Sequence, residues 1–250
     1  MRQYMISTIA GLIILLIVVI SDTIHAQQFN SDNYLSKPYG VATIILTTGE
    51  RNTMFMNTFS LLPNWEFTAA AYLYNNDNDP LTDDGYSLSF YAKYMFYENE
   101  EKTGGFAMKA GTGLDPGYLD GSDRVQDAFQ TYWMNAPVTL PFWGYRISLD
   151  LMPGVSMTKN YGDNNETAWA FTYSTRLAAY PLGPELAVVG EVYGSEGTVN
   201  AKPEYRVGLR WEPSLHAVFA LTYDDEFKGT NGAGFEFGVM LFTPSFCGLF

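Results

Sequence analysis

From Tyr86 to Phe96 the chain alternates without a break. Tyr86, Leu88, Phe90, Ala92, Tyr94 and Phe96 fall on one side, and Ser87, Ser89, Tyr91, Lys93 and Met95 on the other. A period of two sends successive side chains to opposite faces of an extended backbone, so this window predicts a β-strand with one apolar face. Trp65 to Tyr74 repeats it, with Trp65, Phe67, Ala69, Ala71 and Leu73 opposing Glu66, Thr68, Ala70, Tyr72 and Tyr74. Trp169 to Ala179 does the same. Further alternating windows run from Phe106 to Leu114, Tyr145 to Met152, Leu186 to Tyr193, Tyr205 to Trp211, Leu215 to Tyr223 and Phe235 to Phe242. Val41 to Thr48, Phe55 to Leu61 and Ala128 to Leu140 alternate less cleanly; in the last, Pro137 and Pro141 fall near the end, where a sheet tolerates proline. The total is about twelve strands.

The connections alternate in length. Short ones lie at Pro63 and Asn64, Phe142 and Trp143, Pro181 to Pro184, and Pro213 and Ser214. Long polar ones span Asn75 to Gly85, Asp115 to Asp127, Pro153 to Asn165, Gly194 to Pro203 and Asp224 to Gly232. Tyr97 to Gly104 departs from the rule, being long where a short link is due. Short turns at one end and long loops at the other are the habit of transmembrane barrels. Aromatic residues gather near both ends, as the girdles at a membrane's two interfaces require. Trp65, Phe142, Trp143, Tyr180 and Trp211 mark the short-turn end; Tyr86, Trp169, Tyr205 and Tyr223 mark the long-loop end. The predicted fold is all-β, an antiparallel up-and-down transmembrane β-barrel. A soluble β-sandwich shares the alternation but would turn its polar faces outward.

Residues 1–26 stand apart. Arg2 precedes an apolar run from Ile9 to Ile20 interrupted by Gly11, and Ser21 to Ala26 turns polar and ends in a small residue. A membrane-spanning helix needs about 20 apolar residues, which this run lacks, so the segment is expected to be a signal peptide cleaved after Ala26. Residues 27–38 then form an N-terminal periplasmic segment, either a tail or an inserted plug, and 39–250 the barrel. The net charge of −13 survives loss of Arg2 and Asp22 and argues against nucleic-acid partners. A single cysteine, Cys247, rules out an internal disulfide. No cofactor or metal site is expected.

The last strand, Phe235-Glu-Phe-Gly-Val-Met-Leu-Phe242, and the terminal Phe250 resemble the C-terminal signature of bacterial outer-membrane β-barrel proteins, which the barrel-assembly machinery reads. Here Thr243 to Leu249 separate that strand from the terminus, so either Phe242 or Phe250 fills the terminal role. Leu186-Ala-Val-Val-Gly-Glu-Val-Tyr193, Tyr205-Arg-Val-Gly-Leu-Arg-Trp211, Asp224-Asp-Glu226 and Asn135-Ala-Pro-Val-Thr-Leu-Pro141 resemble the phenol-degradation (meta-pathway) outer-membrane family. The resemblance covers the last half of the chain. It implies a transport-type barrel in the cell outer membrane, bordered by lipid and lipopolysaccharide, for small hydrophobic or aromatic solutes.

Strand parity turns Glu66, Lys93, Lys109, Arg146, Asp150, Arg176, Glu191, Arg206, Arg210 and Glu236 inward. Strand direction is expected to divide them by height. Glu66, Lys93, Lys109, Arg146, Arg176 and Arg210 lie low, and Asp150, Glu191, Glu236 and Arg206 high. Two interpretations follow: a salt-bridged plug, since buried charges need partners, or a passage whose basic lower zone attracts anionic solutes. Catalysis has little to rest on. His216, placed inward beside Ser214, lacks a third orienting group, and a lipid-modifying enzyme stands as the remote alternative to a channel.

Overall fold

The computed structural model describes residues 32–50, 52–74, 85–115, 130–144, 146–159, 166–198, 203–228 and 234–246. The expected signal peptide and the tips of the long loops lie outside these residues. Among the described residues the chain forms thirteen strands: β1 (Ala42–Gly49), β2 (Asn52–Leu62), β3 (Trp65–Tyr74), β4 (Tyr86–Glu98), β5 (Gly105–Gly113), β6 (Thr131–Asn135), β7 (Val138–Phe142), β8 (Ile147–Lys159), β9 (Thr167–Ala179), β10 (Leu186–Gly197), β11 (Glu204–Ser214), β12 (Ala217–Glu226) and β13 (Gly234–Phe242). All pairings are antiparallel and most join neighbours in sequence; β5 also pairs with β7, β6 pairs with β8, and β1 pairs with β13, Thr43 standing opposite Phe242. That seam closes the sheet on itself. β6 and β7 share one position between β5 and β8, so the closed barrel has twelve strands, as the alternation predicts.

The break between β6 and β7 falls at Ala136 and Pro137, and the neighbouring stretch of β8 holds a second proline, Pro153. Neither proline has an N–H to give, so regular pairing lapses where they meet. The wall stays joined by Ala136 N donating to the Pro153 carbonyl and Ala107 N donating to the Pro137 carbonyl, each at 2.9 Å. Close by, Gly154 pairs with Asn135, and a Cβ at Gly154 would stand 1.7 Å from Asn135 Oδ1.

The two faces of the sheet invert the arrangement of a soluble protein. Outside, Phe171 and Leu209 are each 50% exposed and Phe237 47%; inside, Arg176 is 2% exposed and Lys109 and Asp150 1% each. Large apolar side chains stand on the outer surface of nearly every strand, among them Ile44, Phe55, Phe67, Phe90, Val155, Val188 and Leu221. Such a surface is stable only against another apolar phase, which excludes the soluble sandwich.

Several details differ from the sequence expectation. β8 continues through Pro153 to Lys159, β10 reaches Gly197 and β12 reaches Glu226, so three hairpins extend into segments expected as loop. The long link after β4 shrinks to Asn99–Gly104, because a bulge between Met95 and Tyr97 lets β4 run on to Glu98. Asn99 organises that turn, its Oδ1 accepting from Thr103 N at 2.8 Å and Gly104 N at 3.1 Å. Tyr180 is not a girdle residue; it is buried and hydrogen-bonds to Glu212 at 2.9 Å. Trp143, by contrast, is 82% exposed at the tip of its turn.

Candidate functional site

Five charged residues on five consecutive strands stand opposite one another in register. Asp150 on β8 pairs with Arg176 on β9, Arg176 with Glu191 on β10, Glu191 with Arg206 on β11, and Arg206 with Asp224 on β12. Each sits at inward parity on its strand, and the signs alternate along the row. Arg176 Nε and Nη2 donate to Asp150 Oδ2 at 2.9 and 2.7 Å, and Thr139 Oγ1 donates to Asp150 Oδ1 at 2.6 Å. Ser174 Oγ donates to Glu191 at 3.3 Å. Arg206 Nη1 donates to Glu236 at 3.2 Å, while its Nη2 stands 3.6 Å from Asp224.

This row corrects the division into a basic lower and an acidic upper zone. Asp150 lies three rungs from the start of β8 and in direct contact with Arg176, not in a separate tier. Register runs perpendicular to the strands, and strands in membrane barrels lean by about 35–45°, so a row of register partners climbs obliquely around the wall. Asp150 therefore sits near the short-turn end and Asp224 near the long-loop end of one ascending, sign-alternating row.

A second row crosses the opposite wall: Glu66 on β3, Lys93 on β4, Lys109 on β5 and Asn135 on β6. Against it lies the N-terminal segment. Residues 32–37, expected as part of a periplasmic segment, are folded into the short-turn end of the barrel, with Asp32, Asn33, Tyr34, Ser36 and Lys37 buried. Lys93 Nζ is 2.6 Å from Glu66 Oε2 and 3.3 Å from Asp32 Oδ1, and donates to the Leu35 carbonyl at 2.7 Å. Glu66 Oε1 accepts from Lys37 N at 2.8 Å, and Tyr34 OH donates to Glu98 at 3.4 Å. The Lys37 ammonium lies 4.2 Å from the centre of the Phe242 ring. Burial pushes Lys37 down to about 8, with Glu66 acting in the other direction. For Asp32, burial works to raise the carboxyl, but the ammonium groups of Lys93 and Lys109 outweigh it and hold it below its ordinary value.

Lys109 is differently placed. Its Nζ is 3.8 Å from Asp32 Oδ2, has no hydrogen-bond partner among the described residues, and lies 5.4 and 5.5 Å from the ring centres of Tyr91 and Trp133. Those rings stand 5.2 Å apart on the next inward rung, in register with Gly111 between them. A Cβ at Gly111 would come within 2.5 Å of Tyr91 Cβ and 2.8 Å of Trp133, so only glycine leaves the rings room to meet there.

Nearer the short turns, Arg210 Nε donates to Glu212 at 2.8 Å and its Nη2 to the Tyr180 hydroxyl. Of the ten charges expected inside, the structure buries nine; Arg146 is exposed in the turn before β8, because the strand starts at Ile147. His216 also lies in a turn, where its N donates to Ser214 Oγ at 3.2 Å. Four buried acids were missing from the expected set. Glu204 and Asp224 fall one residue outside the predicted strands, Asp115 opens a predicted loop and accepts from Asn135 at 2.8 Å, and Asp32 sits where no periodicity announces it. Extending β11 and β12 by parity would have found the first two. Among the described residues no group of His, Cys, Asp and Glu is arranged to hold a metal ion.

No model of a known protein family matches the sequence, and no curated protein matches it either. Solved structures do share its fold. The COG4313 outer membrane channel from Pseudomonas putida F1 superposes with a TM-score of 0.52 at 12% identity, covering 84% of this chain and 98% of that one. The KdgM porin, solved in complex with disordered oligogalacturonate, gives 0.51 at 10% identity over 80% and 98% of the two chains. The NanC porin gives 0.51 at 7% identity over the same shares. The chain has the fold of these outer-membrane barrels.

Proposed function

We propose that the chain is an outer-membrane channel for small solutes, anionic or aromatic in character, exported with removal of residues 1–26 and inserted through residues 39–250. The observation that supports it most is the inversion of faces: a closed barrel that is apolar outside and lined inside by paired charges. Nothing but a membrane matches that exterior, and a polar interior is what a passage through one requires. Partners in this reading are the surrounding lipid and lipopolysaccharide, the barrel-assembly machinery and the solute itself. The resemblance of its C-terminal half to the phenol-degradation (meta-pathway) family favours an aromatic cargo, and the cations Lys93, Lys109 and Arg210 favour an acidic one.

A second reading is a barrel with a plugged lumen, acting through its loops. It is favoured by the depth at which the charges lie, Lys109, Asp150 and Arg176 being at most 2% exposed, and by the segment lodged in the short-turn end. Conductance of the refolded mature chain in planar bilayers separates the two. Discrete ion-conducting steps and solute-dependent liposome swelling support the channel; a silent bilayer and unswollen liposomes support the plug.

A further inference from the structure

The cluster around Lys109 holds more recognition chemistry than its present contacts use. Lys109 Nζ and Trp133 Nε1 are both buried, and neither has a hydrogen-bond partner among the described residues. A buried ammonium without a hydrogen bond is costly, and a carboxylate is the group that relieves it best. The only carboxylate within ion-pair distance of Lys109 among the described residues is that of Asp32, at 3.8 Å, beyond hydrogen-bond range. Asp32 leans instead on Lys93, at 3.3 Å, and belongs to no strand, so it is held by docking rather than by the sheet.

The geometry points to a carboxylate-binding site formed by Lys93 and Lys109, walled by Tyr91 and Trp133, of which Asp32 is the built-in occupant. The ligand class is a small organic monocarboxylate, which enters by displacing the Asp32 side chain. Lys93 and Lys109 occupy facing positions of β4 and β5, so the two ammonium groups are fixed by register and outlast removal of the segment. Gly111 gives the two rings room to meet on the adjacent rung, and their faces can cover the apolar body of the acid. Glu66 remains on Lys93 at 2.6 Å, which leaves Lys109 as the cation that an incoming carboxylate gains most from meeting. The inference rests on the channel reading for its purpose, since a solute acid that replaces Asp32 also loosens the segment that fills the short-turn end.

The experiment is acetate titration of the refolded mature barrel in detergent, followed by thermal unfolding and by Trp fluorescence, with acetamide as the uncharged control. Asp32→Ala is expected to bind acetate about tenfold more tightly than the wild type, to be stabilised by it, and to ignore acetamide. Adding Lys109→Gln to that variant abolishes the effect. Should Asp32→Ala fail to fold, Asp32→Asn keeps the shape and removes the charge, and the same gain is expected. Equal acetate response in wild type and Asp32 variants, or a response that survives loss of Lys109, overturns the site. Conductance is measured in parallel: a conducting barrel indifferent to acetate removes the site and leaves the channel standing, whereas acetate binding in a silent barrel keeps the site and removes the channel.

Discussion

Arg176 places both Nε and Nη2 on a single oxygen of Asp150, across the boundary between β8 and β9, with Thr139 holding the other oxygen. All three are buried, so neither charge has water to fall back on. Asp150→Ala should therefore destabilise the barrel by about 3–5 kcal/mol, because it removes the carboxylate that accepts from both Nε and Nη2 of a buried guanidinium, while the double variant Asp150→Leu with Arg176→Met should cost much less. Urea midpoints of the three species, read by heat-modifiable gel migration, check this; equal losses in the single and double variants would contradict it.

Gly154 and Gly190 make a matched pair. A Cβ at Gly154 meets Asn135 Oδ1 at 1.7 Å and Thr172 Oγ1 at 2.6 Å, whereas a Cβ at Gly190 meets nothing within 4 Å. Gly154→Ala is expected to lose about 1–3 kcal/mol through overpacking and displacement of Asn135. Gly190→Ala is expected to be neutral or slightly stabilising, since it only restricts the unfolded chain. Unfolding midpoints of the two variants provide the comparison.

Leu209 lies midway along β11 with half its surface exposed. If the outer surface meets hydrocarbon, Leu209→Arg should lower the stability of the lipid-folded barrel by about 2–4 kcal/mol. In a soluble protein the same change at so exposed a site would cost next to nothing. The measurement is reversible folding into short-chain lipid vesicles.

Lys37 gives the docked segment a pH dependence. Burial brings its amine to about 8, below the ordinary value of about 10.4, so between those two values the unfolded chain binds more protons than the folded one. Stability contributed by this group therefore rises with pH from about 8 to about 10.4 and is flat below. The wild type should gain on Lys37→Met across that window, as followed by thermal melts of the two proteins at stepped pH. A difference that stays constant would rule out the shift.

How far the sequence discloses this structure depends on which force places each residue. Phe90, Phe171 and Leu209 are legible because lipid and lumen impose a period of two, and the placing of Lys93 on one face with Tyr91 and Ser89 follows from the same constraint. Pairing is not legible in that way. That Asp150 meets Arg176 depends on the register between β8 and β9, which parity leaves free by steps of two. Glu204 and Asp224 escaped because polar residues at a strand end look like the start of a loop. Arg146 is exposed despite its inward parity because it stands in a turn, where the backbone no longer alternates. Asp32 was beyond reach: residues 32–38 have neither period nor motif, and their position is set by tertiary contacts with Glu66, Lys93 and Thr139.

The seam between β1 and β13 sets the order of assembly. Thr43 cannot meet Phe242 until the whole chain has been delivered, and once they meet there is no edge left through which residues 32–37 could be threaded sideways. The stretch that lodges at the short-turn end must be inside before the ring shuts, or else slip in afterwards through an open mouth. Closure is thus a race between zipping the first strand to the last and seating residues 32–37, and a chain that loses it would be a shut ring with Lys93 deprived of Asp32 and of the Leu35 carbonyl.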